Sequence, residues 1–156
     1  MKRLLLFILC GFIFSSQHND FILKEYSEKE YTIDFSIEPT VEYVNKSEYT
    51  SIISSKGYTS IIGMPKLPLY STSIMLDPTK NYSISYEVIS SKIINDVKII
   101  PNQPVVNGLE REAISDIDYN FYNSDRTYPY VNVYMSDPMI ARDIVVSNIV
   151  VTPFKY

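Results

Sequence analysis

The chain has almost no cysteine or histidine. Its 156 residues include one cysteine, Cys10, one histidine, His18, and no tryptophan. A Cys–His nucleophilic pair needs both partners in the folded domain, and zinc sites are built mainly from those same side chains. Both residues sit at the extreme N-terminus, in or just after a segment with the features of a secretory signal. Lys2 and Arg3 precede an unbroken apolar run from Leu4 to Phe14, and Ser15 and Ser16 follow. Such a run is too short for a membrane helix, which needs about 20 apolar residues, and it has the layout of a signal peptide. The expectation is a signal peptide over 1–16, a flexible polar lead-in over 17–30 and a folded module over 31–156. On that reading Cys10 leaves with the signal. A lipid anchor on Cys10 is disfavoured, because Leu9 stands where a small residue is needed.

An exported domain without cysteine has no disulfides and must be held together by its core. About 140 residues are enough for one such domain. Glycine is also scarce, at four residues. No G-x-S-x-G elbow, Walker loop or G-x-G-x-x-G cradle occurs, which removes the motif-borne hydrolases and nucleotide enzymes. Net charge is −4, and without Lys2 and Arg3 the remaining 12 basic and 18 acidic side chains leave −6. No basic run interleaves with aromatics, so nucleic acid is not an expected partner.

What the chain does have is β texture. From Tyr31 onward Tyr, Ile, Val, Ser and Thr dominate, and no stretch keeps a helical period for long. Tyr82, Ile84, Tyr86 and Val88 alternate with Ser83, Ser85 and Glu87, the pattern of a strand with one wet face. Tyr130–Tyr134 forms a further strand candidate. Arg142–Thr152 is more evenly apolar, as a strand buried on both faces would be, with Arg142 opening it. Others are expected near 31–37, 49–53, 58–62, 69–76 and 93–100. Proline and glycine punctuate the intervals, at Gly63–Pro68, Asp77-Pro78, Pro101–Pro104, Asn107-Gly108, Tyr128-Pro129, Asp137-Pro138 and Pro153. Short strands with such spacing predict an all-β, antiparallel β-sandwich or barrel.

Candidate sites are few. Glu110, Glu112, Asp116 and Asp118 could supply paired carboxylates, but the simpler reading is a solvated strand or turn. Asp116, Asp118, Asn120, Asn123 and Asp125 offer oxygen ligands of the kind calcium takes. They lack the glycine and closing glutamate of an EF-hand loop, and a wet strand edge accounts for them equally well. The 14 tyrosines suit a carbohydrate-binding surface, but tyrosine is also a good strand former with a polar rim. On residues alone the assignment is therefore a binding module without catalytic, cofactor or metal machinery. A secreted surface-adhesion or carbohydrate-binding module is one form of it.

One ordered set of motifs narrows this. Gly63-Met-Pro65-Lys-Leu67-Pro68, then Asp77-Pro78, Pro101-Asn-Gln103-Pro104, Tyr128-Pro129, Arg142 and Pro153-Phe-Lys-Tyr156, resembles the N-terminal propeptide of gingipain-type cysteine peptidases, peptidase family C25. The resemblance covers about a hundred residues, from Gly57 to the C-terminus. It implies a jelly-roll-like β-sandwich, exported with a cysteine peptidase and keeping it latent while assisting its folding. The partner would be the peptidase catalytic domain, in cis or in trans. Gly63, Pro65, Leu67, Pro68, Pro104, Tyr128 and Pro129 would be fold signature, with Gly63–Pro68 a stiff edge leading into the strand 69–76. Family members continue with further strands and a catalytic domain, so the chain is expected to be either a truncated precursor or a free-standing prodomain-like protein. Gingipain-type enzymes cleave after basic residues, so an arginine could fill the partner's acidic specificity pocket. Of Arg111, Arg126 and Arg142, Arg126 lies in the polar turn Asn123–Thr127 and is the expected peptidase-binding residue.

Overall fold

Strands in this chain form wherever an alternating segment finds a ladder partner, and the computed structural model shows which segments do. It describes residues 20–27, 30–38, 40–43, 48–106, 109–110 and 114–156. The expected signal peptide over 1–16 lies outside them. Among the described residues eleven strands are formed: β1 (Phe21–Tyr26), β2 (Tyr31–Phe35), β3 (Thr40–Tyr43), β4 (Thr50–Ile53), β5 (Gly57–Tyr58), β6 (Pro68–Leu76), β7 (Val105–Val106), β8 (Leu109–Glu110), β9 (Val133–Met135), β10 (Met139–Ala141) and β11 (Ile144–Val151). The single-turn helix α1 (Tyr119–Tyr122), the one helix among the described residues, precedes β9. The all-β expectation holds. β1–β2, β3–β4, β5–β6, β7–β8 and β10–β11 are all antiparallel pairs. The larger sheet runs β10-β11-β6-β5, with β9 also paired to β11.

The chain divides into two units. One comprises residues up to Glu38, Thr72–Asn81 and Ser136–Ile149; the other comprises Pro39–Ser71, Tyr82–Met135 and Val150–Tyr156. In the first, β1 and β2 form a hairpin in register from Phe21↔Phe35 to Tyr26↔Tyr31, with an irregularity between Leu23 and Glu25. Ring pairs close both ends: Phe21 on Phe35 at 4.8 Å and Tyr26 on Tyr31 at 5.0 Å. This corrects the lead-in expected over 17–30. Residues 21–26 form a strand despite their charged residues because β2 supplies the ladder, and Lys24 also reaches Asp34 of β2 at 3.4 Å.

Two further expectations are corrected. No strand forms over 82–88 or 93–100, and every side chain from Ser83 to Asp96 is exposed. Ile89 and Ile93 are 86% and 82% exposed. Alternation marks a segment fit for a sheet, but a strand exists only where a second backbone supplies the ladder. Only the end of this stretch is paired, through isolated bridges Thr50↔Ile99 and Pro65↔Pro101. Arg142, expected to open a buried strand, instead sits exposed between β10 and β11 at φ 58. The partner strand that the sequence pattern did not reveal, β10, turns this position into a hairpin tip.

The second unit holds the main core. Ile52, Met64, Leu67, Ile99, Phe121 and Tyr128 form one buried cluster, with Val97, Tyr122, Phe154 and Tyr156 packed against it. Leu67 is fully buried and Phe121 is 1% exposed. The C-terminal Tyr156 is fastened by a reciprocal pair of backbone bonds with Tyr128, at 2.9 and 2.8 Å.

Candidate functional site

The most closely built region of the second unit is a polar hub beneath the segment 114–128. Its foundation is the pairing of two prolines. Pro65 and Pro101 face each other in an antiparallel bridge, whose hydrogen bonds come from their neighbours: Lys66 N–H to Ile100 C=O at 2.8 Å and Asn102 N–H to Met64 C=O at 2.8 Å. Proline has no N–H to give, so it is tolerated here because this bridge position requires none. Pro65, Pro68 and Pro101 are among the most completely buried side chains. Gly63–Pro68, expected as a stiff edge leading into the strand 69–76, does lead into β6 and is largely buried.

Two amide side chains then tie three segments together. The Nδ2 of Asn102 donates to Thr59 Oγ1, Ile61 C=O and Met64 C=O at 3.3–3.4 Å. Gln103 reaches the other way. Its Oε1 accepts from the N–H groups of Ser115 at 2.9 Å and Asp116 at 3.1 Å, while its Nε2 donates to the carbonyls of Asp116, Pro101 and Asn102. Both residues are buried, where an amide left unpaired would be costly. Gln103 thus joins its own segment to Ser115 and Asp116, on the far side in sequence of β7 and β8. Gly63 closes the hub: it has φ 79 and accepts the Asp118 N–H at 3.0 Å.

Asp118 begins α1. Its Oδ1 accepts the Phe121 N–H at 3.0 Å, an ordinary N-cap bond. One of the expected carboxylate and calcium candidates is thereby used to hold the chain in shape. Asp116 accepts from Ser115 Oγ at 2.7 Å, and Asn120, Asn123 and Asp125 are exposed. Among the described residues no three His, Cys, Asp or Glu side chains gather as a metal ion would need. Glu110 ends β8, whereas Arg111 and Glu112 lie outside the described residues.

Past α1 the chain presents Arg126. Phe121, anchored in the core, meets Tyr122 and Tyr128 edge-on at 5.7 and 6.2 Å, and Tyr156 tilted at 6.2 Å. The Arg126 guanidinium carbon lies 5.8 Å from the Phe121 ring centroid, within cation–π range. Its Nε donates to Ser124 Oγ at 3.2 Å. Arg126 is exposed and forms no ion pair among the described residues, with Asp125 or any other carboxylate. Nearby, the Tyr122 hydroxyl donates to Ile99 C=O at 2.6 Å, and burial pushes its pKa upward. Lys98, hydrogen-bonded to Glu48, has its pKa raised by that bond.

Of the signature residues, Gly63, Pro65, Leu67 and Pro68 are brought together in the hub and core. Tyr128 is buried beside Phe121, ahead of the cis peptide to Pro129, and Pro104 follows Gln103. Sequence reasoning missed Asn102, Gln103, the cap at Asp118 and the Ser124 tether. The one available signal was an amide pair held between two prolines, read only as punctuation.

Comparison with known proteins agrees with this architecture. The profile of the C25 propeptide family, Propeptide_C25, matches residues 23–156. Gingipain R2 from two strains of Porphyromonas gingivalis is 29% identical over 123 residues, covering 70% of this chain and 16% of the relative. The chain therefore spans only about a sixth of the length of these curated relatives. Among solved structures, a chain in the complex of Porphyromonas gingivalis RgpB pro- and mature domains superposes with a TM-score of 0.68 at 25% identity. The match covers 90% of this chain and 76% of that one.

Proposed function

The chain belongs to the family of C25 peptidase propeptides, and on that premise we propose that it binds a gingipain-type cysteine peptidase catalytic domain, keeps it latent and assists its folding. As a propeptide domain it is not the catalytic unit of such a precursor. The observation that carries the reading is Arg126: an exposed arginine with no carboxylate partner among the described residues, standing on a core-anchored ring. A peptidase that cleaves after basic residues presents an acidic group at the bottom of its specificity pocket. A guanidinium can pair with that group through two parallel hydrogen bonds, which a lysine cannot reproduce. Arg142 is also exposed, but it sits at the tip of the β10–β11 hairpin and stacks on no ring among the described residues.

The test is inhibition of a C25-type catalytic domain by the purified chain and by its Arg126→Ala and Arg142→Ala variants. Removing a desolvated charged contact costs about 2–5 kcal/mol, so Arg126→Ala raises the inhibition constant roughly 30-fold or more while Arg142→Ala leaves it unchanged. The reverse result transfers the role to Arg142. Absence of inhibition by the wild-type chain sinks the latency reading. The folding role is read separately, as the yield of active catalytic domain refolded with and without the chain in trans. Export rests on Lys2, Arg3 and the run Leu4–Phe14. N-terminal sequencing of the secreted protein should begin within a few residues of Gln17, and a protein retaining Met1 would contradict it.

A further inference from the structure

We propose that Ser124 is a positioning residue for Arg126, fixing both where its guanidinium points and which of its edges meets an incoming carboxylate. The inference rests on the reading that Arg126 enters the peptidase pocket. The Ser124 hydroxyl is the centre of three hydrogen bonds. Its Oγ donates to the Phe121 carbonyl at 2.8 Å, and accepts from the Arg126 backbone N–H at 3.3 Å and from Arg126 Nε at 3.2 Å. A hydroxyl has one proton to give and two lone pairs to receive, so all of its capacity is used. The donated bond ties Ser124 to Phe121, which is 1% exposed and held by its ring contacts. The two accepted bonds hold the Arg126 backbone and the inner end of its guanidinium.

This arrangement has a chemical consequence. A guanidinium can grip a carboxylate side-on, through Nε and one Nη, or end-on, through both Nη groups. With the Nε–H directed to Ser124 the side-on edge is occupied, which leaves the end-on edge of this exposed residue for a partner. The Phe121 ring beneath the guanidinium restricts the remaining rotation. Arg126 is therefore presented as an end-on fork, with part of the ordering cost of a long side chain already met in the unbound chain. The chemistry it fits is a carboxylate at the end of a narrow pocket, approached along the side-chain axis.

The experiment is a double-mutant cycle on the whole chain, reading inhibition of a C25-type catalytic domain for wild type, Ser124→Ala, Arg126→Ala and the double variant, with Ser124→Thr as rescue. Coupled neighbours commonly differ from additivity by several-fold. Ser124→Ala is expected to weaken inhibition about fivefold to tenfold in the wild-type background and not at all once Arg126 is alanine. Ser124→Thr, which keeps the hydroxyl, is expected to stay within about twofold of wild type. An equal loss in both Arg126 backgrounds would show that the hydroxyl serves only the loop and would overturn the proposal. So would full inhibition by Ser124→Ala when Arg126→Ala is impaired, an outcome that leaves the pocket role of Arg126 standing. If Arg126→Ala itself inhibits like wild type, the pocket role fails, and the positioning role fails with it.

Discussion

A Cβ placed on Gly63 would lie 3.0 Å from the backbone nitrogen of Asp118, the residue whose N–H the Gly63 carbonyl accepts. A side chain there would force the neighbouring backbone to give by a few tenths of an ångström, and φ 79 is a conformation that L residues adopt only at a cost of about 1–2 kcal/mol. Gly63→Ala is therefore expected to destabilise the domain by about 2 kcal/mol or more, since backbone cannot move aside as a side chain can. Chemical denaturation measures it; a loss below about 0.5 kcal/mol would mean that the two segments separate freely.

Gln103→Met keeps the volume of the side chain and removes its polar atoms. The N–H groups of Ser115 and Asp116 then lose their acceptor. Each donor stranded away from water costs about 1–3 kcal/mol, and the part-buried position argues for a total of about 2 kcal/mol. The denaturation midpoint should fall with little change in its slope. Amide hydrogen exchange should quicken first at Ser115 and Asp116, which a global loss of stability would not single out.

Alkaline pH should weaken the fold through Tyr122. Burial raises its pKa above the usual tyrosine value, and Tyr156 is raised by burial as well. Its stabilising contribution is complete below the unfolded value of about 10. The contribution is lost as pH climbs from there toward the folded value, because the unfolded chain gives up the proton first. Melting temperature from pH 8 to 11 should fall more steeply for wild type than for Tyr122→Phe. The variant starts lower by about 1 kcal/mol, having lost the bond to the Ile99 carbonyl. Parallel curves would rule Tyr122 out.

Ile89→Lys and Ile93→Lys should leave stability within about 0.5 kcal/mol of wild type, since both side chains are more than four-fifths exposed. Solubility should improve as the apolar stretch is broken by charge. A large loss of stability in either variant would show that this segment is covered in solution.

The antiparallel β class was legible in local chemistry. β-branched and aromatic residues dominate, glycine is scarce, and proline marks the intervals, so β2, β4, β6 and β11 arise close to where alternation and turns place them. Local chemistry could not tell which alternating segments find partners. Tyr82–Val88 has a cleaner two-residue period than Thr40–Tyr43, yet the latter pairs with β4 and the former joins no sheet. Charge in Phe21–Tyr26 suggested a loose lead-in until Asp34 and the ladder to β2 gave its lysine a partner.

The sequence by itself determined an antiparallel β class and the places where proline and glycine interrupt it, because proline fixes φ and removes a donor wherever it stands and glycine tolerates turns that other residues do not. It also identified Arg126 as an arginine in a polar turn. Tertiary structure alone decided that Pro65 meets Pro101 where neither needs an N–H, and that Gln103 satisfies amides twelve and thirteen residues away. It alone set Arg126 over Phe121 with its Nε held by Ser124. Hydrogen-bond satisfaction inside a protein belongs to pairs of groups, and which groups are paired depends on where the rest of the chain has gone.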